Sequence, residues 1–161
     1  MPVQLTDAEI EQLLNDPKPL PADYQKRIQT KTKGAHKEAE LEITSTQGNE
    51  FRLVLRQSTL NSLDFSIILI YCFPNSNQLF RLRRYNGKSH EHTNKLEGDR
   101  FYDFHIHYAT ERYQASGLRE DAFAQVTSRY ADPQTALGCA IQDCGFVTPA
   151  NPQPSLFDEE E

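Results

Sequence analysis

The chain has 161 residues and a formal net charge of -6, long enough for one continuous hydrophobic core without metal or disulfide staples. Its three cysteines, Cys72, Cys139 and Cys144, show no CxxC spacing, which argues against a disulfide-built scaffold or a thiolate zinc site and fits small buried hydrophobes. The acid excess argues against broad coating of nucleic acid, although residues 158–161 (DEEE) supply four of the negative charges, and residues 26–37 hold four lysines and one arginine with no acid.

At the start of the chain, Thr6 and Glu9 stand in capping-box spacing before the apolar stripe Ile10, Leu13 and Leu14, which predicts a helix ending before Pro17, Pro19 and Pro21. A short helical turn over 23–29 and a lysine-rich linker follow. The opening MPVQLTDAEIEQLL has neither a basic leader nor an apolar signal segment, and the longest nearly apolar run, 65–73, is too short to cross a bilayer as a helix, so a cytoplasmic location is expected.

Ala39, Leu41 and Ile43 alternate with Glu38, Glu40 and Glu42, the period of a half-buried strand. Gln47, Gly48 and Asn49 supply a turn into a second strand in which Phe51, Leu53 and Leu55 face inward and Arg52 and Arg56 outward. Residues 64–73 are apolar on both faces and predict a central strand; 79–85 return as a fourth. After Gly87 a polar loop, 88–100, leads to FYDFHIHY (101–108), where Tyr102, Phe104, Ile106 and Tyr108 share one face and Asp103, His105 and His107 the other. Residues 110–113 are ambiguous between strand end and loop, and 118–130 read as a short helix carrying Leu118, Ala122, Val126 and Phe123. A last helix begins at Asp132 and Pro133, ends near Gly145, and packs through Ala136, Leu137, Ala140, Ile141 and Cys144.

Strands joined by short turns, with helices at both ends, predict a single α+β domain over residues 1–147: a roughly five-stranded antiparallel sheet with the N- and C-terminal helices packed on one face. Residues 148–161 read as an extended acidic tail. The other face of such a sheet collects Arg52, Arg56, Arg81, Arg83, Asp103, His105 and His107 on a wet, anion-receptive surface. This set points to recognition of nucleic-acid phosphates, with RNA cleavage by the substrate's own 2'-hydroxyl and no cofactor. His105 and His107 then act as acid and base, Asp103 orients an imidazole, and Arg52, Arg56, Arg81 and Arg83 hold phosphate. Arg84 falls on the Phe80 and Leu82 face as a strand-edge charge, and Tyr85 and Arg112 serve packing or stack on a base.

The same histidines support a second chemistry. His90 and His92, and His105 and His107, form two HxH pairs with Glu91 and Asp103 nearby as oxygen donors, and the four rings suit zinc or another transition metal if residues 88–100 fold back over the sheet. A third reading makes the chain a noncatalytic interaction or regulatory protein, in a toxin-antitoxin or phage-defence setting, so whether it is an enzyme stays open. No Walker loop, dinucleotide-binding glycine pattern or HExxH motif is present.

Two resemblances accompany these readings. The block 81–107, with RLRRYNG, the histidine-containing loop and DFHIHY, resembles an uncharacterised family of small bacterial proteins in which a polar loop leads to a histidine-alternating strand and then an aromatic, here Tyr108 or Tyr113. It implies no reaction, fold or partner. In the tail, QPSLF resembles the peptides with which bacterial DNA-processing proteins engage the sliding clamp, which implies Gln153 as polar register and Leu156 and Phe157 as apolar anchors, with Pro154 where a leucine is usual.

Overall fold

The computed structural model of the chain describes residues 3–150. In chain order its elements are α1 (Asp7–Asn15), β1 (Lys18–Pro19), α2 (Tyr24–Arg27), β2 (Lys31–Lys33), β3 (His36–Thr44), β4 (Glu50–Ser58), β5 (Phe65–Cys72) and β6 (Leu79–Asn86). There follow β7 (His92–Thr93), β8 (Arg100–Phe101), β9 (His105–Tyr108), α3 (Glu111–Ala115), β10 (Phe123–Val126), α4 (Pro133–Asp143) and β11 (Phe146–Val147). The predicted capping box of α1 forms in both directions between Thr6 and Glu9. Asp132 caps α4 through the Thr135 backbone N–H, with Pro133 in the first turn.

The main sheet is antiparallel and has seven strands in the order β10-β9-β6-β5-β4-β3-β2. The two strands beyond the expected five lie at its ends. β2 is a three-residue lysine-bearing segment of the predicted linker. β10 replaces the helix expected over 118–130: Leu118, Ala122 and Val126 recur at helical spacing, but the backbone of 123–126 pairs with β9 instead. The helical turn comes earlier, at α3, where Thr110 accepts the Tyr113 backbone N–H.

On one face, Leu41, Leu53, Ile67, Leu69, Leu82, Tyr85 and Ile106 form a core with Ile10 and Leu14 of α1 and Ala136, Cys139, Ala140 and Cys144 near α4. Lys18 is fully buried beside this core. Its ammonium donates to the carbonyl oxygens of Leu13 (2.7 Å), Leu14 (3.1 Å), Asp16 (2.9 Å) and Cys144 (2.8 Å) and lies 4.5 Å from the Phe51 ring centre. One cation thus satisfies the terminal carbonyls of two helices, neither of which has a basic residue in its last turn.

Strand β6 departs from the expected alternation. Arg81 pairs with Ile70 and Arg83 with Leu69, so Leu82 is an extra residue in a bulge. A bulge sends every later side chain to the opposite face. Arg83 therefore turns to the core side, partly buried, with its guanidinium 4.7 Å from the Tyr108 ring centre. Arg84, expected opposite the histidines, lands directly beside His107.

The histidine face is also not open to water as expected. Residues 88–101 cross over it, and His105 and His107 are only 2% and 8% exposed. Tyr102, expected inward, is 55% exposed because β9 begins only at His105.

Candidate functional site

Period-two geometry aims His105 and His107 of β9 to the same side, with ring centres 5.0 Å apart. The segment that crosses them doubles back on itself: His92 and Thr93 of β7 pair with Phe101 and Arg100 of β8. That fold sets the His92 ring 5.3 Å from the His105 ring and 4.8 Å from the His107 ring. The three residues each offer one ring nitrogen, and the three atoms lie within 4.8 Å of one another.

The other nitrogen of each ring is already bonded, which fixes the tautomer. Nδ1 of His105 lies 2.7 Å from the Asp103 carbonyl oxygen, and Nδ1 of His107 lies 2.7 Å from that of Asp121. A carbonyl oxygen only accepts, so both Nδ1 atoms carry a proton, and because burial lowers both pKa values the neutral rings hold their lone pairs on Nε2. Nε2 of His92 lies 2.9 Å from Oδ1 of Asn94. The Asn94 amide nitrogen donates to the Ala124 carbonyl at 2.8 Å and to the Asp99 carboxylate at 3.1 Å, which orients the amide so that its oxygen accepts from His92. In the neutral tautomer this leaves the lone pair on Nδ1 of His92. Rings held by oxygen acceptors on one nitrogen and bare on the other have the arrangement of metal-binding histidines. The bare Nε2 of His105 is buried and has no partner in the protein.

The covering segment is anchored from two sides. Asn94 accepts the Ala124 N–H at 2.9 Å while donating to its carbonyl. Tyr113 of α3 donates to Glu97 at 2.5 Å and accepts the Leu96 N–H, and Arg112 forms an ion pair with Glu97.

Burial, with the neighbouring His105 adding to it, pushes the His107 pKa from 6.5 down to about 4, against the opposing pull of Asp121. Burial also lowers that of His105, against the hydrogen bond to Asp103. The folded pKa of His107 lies below its unfolded value, so the contribution to stability is complete above about pH 6.5. As pH falls from there toward 4, only the unfolded chain takes up the proton, and the protein loses on the order of 3 kcal/mol. Urea midpoints of wild type and His107→Asn across this range provide the check: the variant will show the shallower decline, and equal slopes would remove His107 from the account.

Beside the rings lies a polar cleft of about 330 Å³ whose walls include His90, His92, His107, Arg84, Arg119, Asp121 and Asn86. Gly87 also lines it, and a Cβ there would meet the Leu63 carbonyl oxygen at 1.9 Å, so only glycine fits this approach. The Asp121 carboxylate is fully buried; Arg84 donates to it at 2.7 and 3.1 Å, and Arg119 at 3.2 Å.

Of the expected site residues, His92, His105 and His107 come together. His90 is exposed on the cleft wall with Nδ1 3.0 Å from the Ser89 hydroxyl, outside the trio. Asp103 contributes its backbone carbonyl to His105; its side chain, like that of Glu91, belongs to an exposed residue. The four expected phosphate-holding arginines do not converge on the rings. Arg52 and Arg56, on β4, face Glu40 and Glu38, each at 3.6 Å. Arg81 pairs with Glu120 at 2.9 Å, and the bulge diverts Arg83. Sequence reasoning missed Asn94, Asp121, Arg84 and Arg119. Only the bulge separates Arg84 from the expected alternation, whereas nothing local marks Asn94 or Asp121. Gln153, Leu156 and Phe157 lie outside the described residues.

Among the described residues no helix is long and apolar enough to cross a membrane. No curated protein and no solved structure matches the chain. A family model does match, over residues 5–142, a span that takes in the sheet, the crossing segment and all three converging histidines, and the chain belongs to that family, DUF6978, described as a family of unknown function.

Proposed function

We propose that this chain is a metal protein in which His92, His105 and His107 hold one transition ion, with zinc as the reference case, at the wall of the cleft. The observation that carries this reading is the convergence, within 4.8 Å, of one nitrogen from each of three imidazoles, each ring also holding an oxygen acceptor at a hydrogen-bonded nitrogen. The unpartnered, buried Nε2 of His105 supports it, because such an atom costs stability unless something binds it. Neutral imidazole suits zinc, copper, iron and nickel.

Three protein ligands leave a fourth position on zinc, and here the cleft reaches His92 and His107. A three-ligand site with an open position lowers the pKa of bound water toward 7 and is the catalytic rather than the structural type. Metal-assisted hydrolysis is therefore the reaction class the arrangement serves best. Metal-free acid–base work by His105 and His107 would require the substrate to reach a ring that is 2% exposed, which favours the ion over the paired-histidine reading.

The test is zinc titration of chelator-treated protein against a chromophoric chelator. The expected result is one zinc per chain at sub-micromolar affinity, with X-ray absorption showing imidazole nitrogens at about 2.0–2.1 Å. Failure to take up equimolar zinc, or a coordination shell without imidazole, overturns the proposal.

A further inference from the structure

Resting on the metal reading, we infer that the cleft beside the histidines seats the phosphoryl group of a substrate, gripped by Arg119 with Arg84 and Asn86 around it. Two guanidinium groups share the single buried carboxylate of Asp121. Arg84 uses Nε and one terminal nitrogen on one carboxylate oxygen, whereas Arg119 uses only Nε on the other. Both terminal nitrogens of Arg119 have no protein acceptor among the described residues, and its side chain is 54% exposed. Asp121 thus sets the fork of Arg119 in place without consuming it.

The rest of the wall is also rich in donors. Asn86 accepts from the Ser66 hydroxyl through Oδ1 at 2.7 Å, and its amide nitrogen is free of any protein partner among the described residues. The opposing charge is Asp64, an exposed residue on the cleft wall. Two cations, Arg84 and Arg119, face Asp121 and Asp64, and a bound divalent ion would tip the cleft positive.

A tetrahedral oxyanion fits this wall better than a planar carboxylate. It offers one oxygen to the ion while keeping others for the guanidinium fork and the amide. A cleft of about 330 Å³ has room for the group and part of what it is attached to. The shared chemistry is the phosphoryl group, carried by a monoester or by the diester of a nucleic-acid backbone.

The experiment is calorimetric titration of zinc-loaded protein with inorganic phosphate, with phenyl phosphate and diphenyl phosphate as parallel competitors. The expected result is saturable binding of one phosphate per chain, weakened at least tenfold in Arg119→Met, partly restored in Arg119→Lys, with zinc affinity unchanged in both. Displacement by the monoester or by the diester identifies the source; displacement by neither overturns the substrate assignment. Zinc uptake without phosphate binding, or equal binding in wild type and Arg119→Met, overturns the inference and leaves the metal proposal standing. Absence of zinc uptake overturns both. Arg119 is the chosen probe because Asp121 keeps Arg84 when it is replaced, so the fold is expected to survive.

Discussion

Replacing His105 with asparagine will lower zinc affinity by at least about 100-fold and leave the metal-free protein within about 1 kcal/mol of wild-type stability. The asparagine amide nitrogen stands where Nδ1 of the imidazole stood, so the bond to the Asp103 carbonyl is kept. What disappears is Nε2, the buried atom that the protein itself leaves without a partner. A histidine with a purely structural role would leave zinc uptake unchanged on replacement, so the zinc readout separates the two roles, and the loss of an unpartnered buried nitrogen offsets part of the cost of the lost ring. Chelator competition and urea unfolding on the same samples separate the two. Should His105→Asn fail to fold, His92→Phe, which keeps a ring but removes both nitrogens from the more exposed member of the trio, carries the test. Zinc binding within a few-fold of wild type in His92→Phe would reject the site.

Lys18→Met will cost about 3–5 kcal/mol, the range for removing one partner from a buried charged arrangement. Methionine fills much of the volume of lysine but donates nothing. Four carbonyl oxygens, from Leu13, Leu14, Asp16 and Cys144, lose their shared donor in a place water does not reach. Asp16, buried with its Oδ2 accepting from Ser45 and Asn49, loses the nearby positive charge as well. Burial pulls the Lys18 pKa down to about 8, against the opposing charge of Asp16, so the ammonium is still the prevailing form near neutral pH. Denaturant unfolding of the variant at pH 7 gives the measurement. A midpoint equal to that of wild type would mean that both helix ends find other donors.

The two tests probe opposite ends of what the sequence makes legible. Both helix starts were readable because a cap is a local device: Thr6 with Glu9, and Asp132 with Pro133, each lie within four residues. The central strand was readable from its apolar residues on both faces, and the inward face of β9 from Ile106. Lys18 was not readable, since between Pro17 and Pro19 it looks like part of a helix-breaking run, and its acceptors come from both ends of the chain. The bulge at Leu82 was equally silent, because RLRRYN alternates well enough for either phase, and one skipped pairing exchanged the roles of Arg83 and Arg84. For the site, the HxH pair on β9 named two of the three rings that converge but not the segment that covers them. Whether a polar segment lies over a face or swings into water depends on long-range anchors such as Asn94 to Ala124 and Leu96 to Tyr113. Spacing along the chain carries none of that.

Asn94 has a consequence for how the protein meets copies of itself. By accepting from the Ala124 N–H and donating to its carbonyl, its side chain occupies the backbone groups that another β-strand would seek along the outer margin of β10. At the far margin, β2 is three residues long and displays Lys31 and Lys33. An open antiparallel sheet invites polymerisation wherever its border is unguarded; this one interrupts one border at Ala124 with a side-chain amide and blunts the other with charge.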